Sequence, residues 1–281
     1  MKKLVSVFAA LTALMLLTSP AMAQKVSARQ ADSTYNYFHE NEIEDYQESL
    51  ITVLKVINHY KATKDTCKTS FLARTAYECY EALGSFDKAL EIILRAEPYS
   101  KACSWNEYAK NISAQTSIYI TLERFEKIIS LVDKIEQEWP ADQPDSLIKD
   151  LPVNKAIALV YLGRINEAKT IFKSTYARTL ITNNIDDQIG ALTNLGAFYG
   201  MLQEIDTAAI YLKKASGQCA DINCESRLEL LQNLATLASA QKNYQLSVKY
   251  LDSAIGIAQL QKNLRVETEL LREVSVATKD L

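Results

Sequence analysis

Three asparagines, Asn154, Asn194 and Asn233, recur at sequence offsets of 40 and then 39. A primary amide offers a donor and an acceptor together, so a row of amides can pair with a peptide backbone without reading its side chains. Thr75 and Ala114 hold the corresponding place earlier in the chain. The five cysteines are the other reactive set. Cys219 and Cys224 flank the short polar stretch Ala220-Asp221-Ile222-Asn223, where a local disulfide fits. Cys67 and Cys103 form a second candidate pair, because antiparallel helices would bring those positions together. Cys79 is then left as a small buried apolar residue, and the rival reading is five reduced thiols. The spacings do not suit a metal centre, and only His39 and His59 could assist, so neither metal nor cofactor is expected. There is no phosphate loop, no nucleophile elbow, and no histidine beside a suitable nucleophile and acid. The chemistry is that of binding, and the chain is not read as an enzyme.

The asparagines sit inside a longer periodicity. An aromatic or branched residue recurs at Tyr46, Phe86, Phe125, Ile165, Ile205 and Tyr244, always at an offset of 39 or 40. Three residues later come Ser49, Ala89, Ile128, Ala168, Ala208 and Ser247; four further on come Val53, Ile93, Val132, Phe172, Leu212 and Leu251. Three more give Val56, Ala96, Ile135, Thr175, Ala215 and Ala254. Intervals of three and four place these residues on one face of a helix. A preceding helix ends in a tight turn, seen as Leu83-Gly84-Ser85 and Leu162-Gly163-Arg164, where glycine accepts the left-handed conformation cheaply. A fixed period of this length signals helix pairs stacked as repeats.

The pattern Leu192, Leu195-Gly196, Tyr199, Ala208, Leu212 resembles the tetratricopeptide repeat family, as do Leu231, Leu234-Ala235, Tyr244, Leu251 and the pair Ala168, Phe172. The resemblance covers about residues 30 to 260. It implies an all-α, right-handed superhelical α-solenoid of stacked antiparallel helix pairs, with a concave groove lined by the first helix of each pair. Asn154, Asn194 and Asn233 would face that groove, with Thr193, Ala197, Gln232 and Thr236 around them as the peptide-binding wall. First helices spaced about 10 Å apart would meet about every third residue of an extended peptide. The chain departs from the family in its longer period, in a poor first helix before Tyr46, and in Pro152, which replaces a large apolar residue. Pro152 is expected in the first turn of its helix, capped by Asp150.

Residues 1–23 read as a cleaved signal peptide: Lys2 and Lys3, an apolar run from Leu4 to Leu17, Pro20, and Ala21-Met22-Ala23 before Gln24. Export to the periplasm or outside the cell follows, with no membrane insertion. Without Lys2 and Lys3 the chain sets 29 basic against 34 acidic side chains, a net charge of −5, which excludes a basic nucleic-acid stripe. Seven glycines and five prolines leave few turns for a sheet protein. Residues 24–262 are assigned to a repeat domain of about six helix pairs. Residues 263–281 form a capping helix through Leu264, Leu270, Leu271, Val274 and Ala277, with homodimerisation through it as the alternative. The acidic run Glu40 to Asp45 reads as a solvated helix start, Trp105 and Trp139 as packing, and Asn111-Ile112-Ser113 as a formal sequon.

The expected function is a non-enzymatic scaffold that holds a protein or peptide outside the cytoplasm. The alternative is an extracytoplasmic regulator or envelope-assembly factor whose superhelix responds to the bound peptide.

Overall fold

The computed structural model describes residues 26–41, 43, 45–219, 224, 226–260 and 264–280. The expected signal peptide, 1–23, and the connection 220–223 lie outside the described residues. Thirteen α-helices and two short 3-10 turns make up the described chain, with no strand among the described residues. The helices are α1 (Ala28–Glu40), α2 (Tyr46–Thr63), α3 (Thr66–Ala82), α4 (Phe86–Cys103), α5 (Trp105–Thr121) and α6 (Phe125–Glu138). After a 3-10 turn at Asp145–Ile148 come α7 (Leu151–Tyr161), α8 (Ile165–Thr182), α9 (Ile185–Met201), α10 (Ile205–Cys219), α11 (Arg227–Ala240), α12 (Tyr244–Leu260) and α13 (Leu264–Ala277).

The six repeat markers are each the first residue of an even-numbered helix. The residues three, seven and ten positions later are buried in every copy except at Ser49 and Thr175, which are half-buried. The face read from sequence is therefore the core face of each second helix. Small residues such as Ala89, Ala168 and Ala208, all 1% exposed or less, let a first helix approach closely.

One turn geometry ends five of the first helices. Gly84, Glu123, Gly163, Gln203 and Lys242 all take positive φ, between 54° and 73°. The next residue donates its N–H to the carbonyl five positions back: Ser85 to Tyr80, Arg124 to Tyr119, Arg164 to Leu159, Glu204 to Tyr199, and Asn243 to Ala238, at 2.8–2.9 Å. This closes the orphan carbonyls of the helix end. Only two of the five positions are glycine, so the turn is enforced by packing around it and not by local preference alone.

The first copy is better built than its sequence suggests. Ser27 and Gln30 form a reciprocal capping box at the start of α1. Asp32 then accepts from Tyr60 (2.7 Å) and pairs with Lys68 (2.6 Å), tying α1 to α2 and α3. Pro152 lies in the first turn of α7 as expected, but the Asp150 side chain makes no capping bond.

The chain forms two compact units. One holds the described residues of Met1–Arg124 with Trp139–Ile148; the other holds Phe125–Glu138 with Lys149–Leu281. In the first, Val53, Ile57, Leu72 and Ala76 form one core and Ile93, Leu90 and Ile118 another. Trp105 and Trp139 pack edge to face there, 5.2 Å apart. In the second, Leu159, Phe172, Leu195 and Phe198 build one core, Ile189, Leu192 and Leu212 the next, and Leu251, Ala254 and Leu270 the last. No described helix is long and apolar enough to cross a membrane.

Candidate functional site

The asparagine row belongs to the second unit, on first helices α7, α9 and α11. Helix α9 buries Leu192, Leu195, Phe198 and Tyr199 against its neighbours and leaves Gly190, Asn194, Ala197 and Gly200 half-buried. A Cβ built at Gly190 would lie 3.2 Å from the Ser226 hydroxyl at the start of α11, so α9 and α11 run side by side at that end. The Glu229 carboxyl on α11 senses the charge of Asp150 at the head of α7, two repeats away. First helices sit about 10 Å apart. Asn154, Asn194 and Asn233 thus recur at the same place on the first helices α7, α9 and α11.

The expected wall residues separate on this surface. Asn154, Asn194, Asn233, Ala197 and Gln232 are half-buried and Thr236 is exposed. Among the described residues the Asn194 amide makes no hydrogen bond, so its donor and acceptor are both open. Asn233 donates one N–H to the Glu229 carbonyl at 3.0 Å, which leaves its amide oxygen. Thr236 donates to the Gln232 carbonyl. Thr193 does not belong to the wall: it is 0% exposed, and its hydroxyl donates to the Ile189 carbonyl at 2.8 Å. One residue along a helix is a rotation of about 100°, which turns Thr193 into the core while Asn194 faces out.

Sequence reasoning missed two carboxylates beside the amides. Asp150, Gly190 and Glu229 recur at the same offsets as the asparagines, four positions before each. Glu229 keeps solvent contact, yet burial by the surrounding protein, and then the Asp150 carboxylate, push its pKa above the ordinary carboxylate value. A raised carboxyl pKa in the fold means that the ionised form is penalised; the penalty is present at neutral pH and disappears as acid protonates the group. Glu229→Gln is therefore expected to raise the urea midpoint at pH 7, by less than about 1 kcal/mol because solvent screens the charge. That gain should vanish below about pH 4. An unchanged midpoint at pH 7 would refute the assignment.

The corresponding face of the first unit carries no amide row, since Thr75 and Ala114 are 5% and 8% exposed. It is closed instead by the Arg74–Glu107 ion pair at 2.6 Å, with Lys110 on the same carboxylate at 3.1 Å. Burial pushes the Glu107 carboxyl up, but bonds from Arg74 and Lys110 outweigh it and hold the group below its usual value. Asn111 of the formal sequon is 2% exposed and donates to the Ile93 carbonyl while accepting from Gln115. It is a packed structural amide with no room for a glycan.

Cys67 and Cys103 are joined, Cα atoms 4.9 Å apart, as are Cys219 and Cys224 at 5.8 Å. Cys79 is 0% exposed, and burial, with Glu78 beside it, pushes its thiol up to about 12. The histidines are packed on rings, His39 on Tyr35 and Phe71 and His59 on Tyr60. Among the described residues no three metal-ligating side chains gather.

Antiparallel helix pairs repeating at this near-constant period define a tetratricopeptide-like helical repeat fold. No protein-family model and no curated protein sequence matches the chain. Solved structures do match it. BtubC (BKLC) from P. vanneervenii aligns with a TM-score of 0.58 at 15% identity, over 78% of this chain and 93% of that one. The Rap conjugation gene regulator of plasmid pLS20, solved in complex with the Phr peptide, gives 0.59 at 12%, over 86% and 77%. PilW, a type IV pilus biogenesis factor, gives 0.52 at 19%, over 88% and 99%. At these identities the likeness is one of fold.

Proposed function

We propose that the protein is a non-enzymatic scaffold that holds an extended peptide or protein segment on the α7–α9–α11 wall, acting outside the cytoplasm. The observation that carries this is the Asn194 amide, half-buried, without a protein partner among the described residues, and in sequence register with Asn154 and Asn233. A half-buried amide that keeps its donor and acceptor open to solvent can exchange that water for a peptide backbone. The Rap neighbour solved with a peptide supports the reading. The basic-then-apolar start of the sequence and the two cysteine pairs support an oxidising, extracytoplasmic setting. The exposed Leu271 and Val276 on α13, at 52% and 58%, supply a surface for self-association.

The decisive experiment is affinity capture from the cell envelope with the wild-type chain and with Asn154, Asn194 and Asn233 changed to alanine. The triple variant is expected to keep its helicity and lose one specific partner. Each lost backbone pairing should weaken binding by about 1 kcal/mol, or roughly fivefold. Retention of every partner by the triple variant would move the binding face elsewhere. A second reading, a peptide-responsive regulator, is favoured by the neighbour that is itself a gene regulator. It requires the small-angle scattering profile to change when ligand binds.

A further inference from the structure

Charge is sorted between the helices of the second unit. The stretches 169–182 of α8 and 207–219 of α10 carry Lys169, Lys173, Arg178, Lys213 and Lys214 and no carboxylate. Helix α12 adds Lys249 against the single acid Asp252. The first helix α9 has the opposite sign, with Asp186 and Asp187 and no cation. Beyond residue 23 the chain sets 29 basic against 34 acidic side chains, so six cations against one acid on three successive second helices is a segregation of charge. The helix macrodipole favours cations in the last turn, yet Lys173, Lys213 and Lys249 all lie more than a turn before their helix ends. Lys214 donates to the Tyr176 hydroxyl at 2.6 Å, which sets α10 beside α8. Lys173, Arg178, Lys213 and Lys249 are exposed and make no ion pair or hydrogen bond among the described residues.

The same helices expose aliphatic side chains. Ile181 is 84%, Ile210 68% and Leu260 87% exposed. At about 100° per residue they lie roughly 160–180° around their helices from the buried Phe172, Leu212 and Leu251. All three therefore occupy the line of their helix that is farthest from the core. Lys249 shares that line on α12, Lys213 and Lys214 stand one turn from Ile210, and Arg178 stands one turn from Ile181. An acidic polypeptide would pair with the cations but leave these separate aliphatic tips in water. An anionic lipid surface uses both, because phosphates meet the cations while aliphatic tips pass between the headgroups. Lysine stems reach past such apolar neighbours to a charged layer.

We infer that this face of α8, α10 and α12 rests on an anionic phospholipid surface, with Ile181, Ile210 and Leu260 entering the headgroup layer. The contact is peripheral, since no described helix is long and apolar enough to cross a membrane. It is independent of the peptide-binding reading, which uses the first helices.

The test uses the chain without residues 1–23 and its sedimentation with vesicles of phosphatidylcholine, alone or mixed equally with phosphatidylglycerol. Wild type is expected to sediment with the mixed vesicles only and to be released by high salt, which screens the cations. Lys173→Gln, Lys213→Gln and Lys249→Gln together should lower the partition coefficient roughly a hundredfold, about fivefold for each cation at the surface. Lys55→Gln, Lys64→Gln and Lys127→Gln remove the same charge from exposed positions elsewhere and should leave it nearly unchanged. Ile181→Ser with Leu260→Ser should lower it about tenfold at the same salt dependence. Ile210→Trp adds a reporter whose emission should shift to the blue on the mixed vesicles and be quenched by brominated lipid. Circular dichroism checks that each variant keeps its helicity. No sedimentation with the mixed vesicles, equal losses from the two lysine sets, or reporter emission that vesicles leave unmoved each overturn the inference. Capture of wild type by immobilised polyglutamate without vesicle binding assigns the face to an acidic polypeptide and overturns it equally.

Discussion

Gly196→Val is expected to destabilise the protein by about 3 kcal/mol, measured as a fall in the urea midpoint at unchanged slope. Gly196 lies in α9 where that helix meets α10, and an added Cβ would sit 2.5 Å from Leu212 Cγ and 2.6 Å from its Cδ2. Leu212 is 2% exposed and belongs to the core with Ile189, Leu192 and Ala215, so its branch point cannot swing into open space. Valine adds the further penalty of a branched side chain on a helix. The cause can be isolated with a double-mutant cycle. Leu212→Ala alone should cost about 2–4 kcal/mol by leaving a cavity. Combined with Gly196→Val it should cost less than the sum of the two, because the valine then occupies the space the leucine vacated. Strict additivity would show that the two residues do not meet, and the close approach of α9 and α10 would have to be abandoned.

The same contact explains why the helix pairs are so readable. In five of the six second helices a small residue, with a large one behind it, meets a first helix at a fixed depth, Ile128 being the exception, so the period stays legible while surface positions vary between copies. Positions set by one long-range contact leave no such trace. Helix α1 owes its place to Asp32 reaching Tyr60 and Lys68, 28 and 36 residues away, and a stretch of polar and aromatic residues does not announce that. Asn111 reads as a surface sequon because nothing local shows that its amide spans to the Ile93 carbonyl. Thr193 is drawn into the wall by its neighbour, since periodicity places a face to within about one residue and the edge between core and wall falls between Thr193 and Asn194. Asp150 and Glu229 are legible by the same arithmetic that finds the asparagines. Asp150 is hidden by a capping role it does not perform.

Removing the Cys67–Cys103 bond is expected to cost about 2–4 kcal/mol. The bond joins the beginning of α3 to the end of α4, positions 36 residues apart in sequence, so its main effect is to restrict the unfolded chain. The Cys219–Cys224 bond closes a separation of only five residues and should contribute less on the same argument. Urea midpoints measured with and without dithiothreitol test this directly. Wild type should lose most of the stated amount on reduction, and Cys67→Ser with Cys103→Ser should start near the reduced value and respond only weakly. Cys79 gives the internal control. Its thiol is buried and pushed well above neutral pH, so it should resist alkylation in the folded protein and react only when urea opens the second repeat. A wild-type midpoint indifferent to reductant would mean that these helices hold together without the crosslink. Only the basic-then-apolar start of the sequence would then speak for an oxidising compartment.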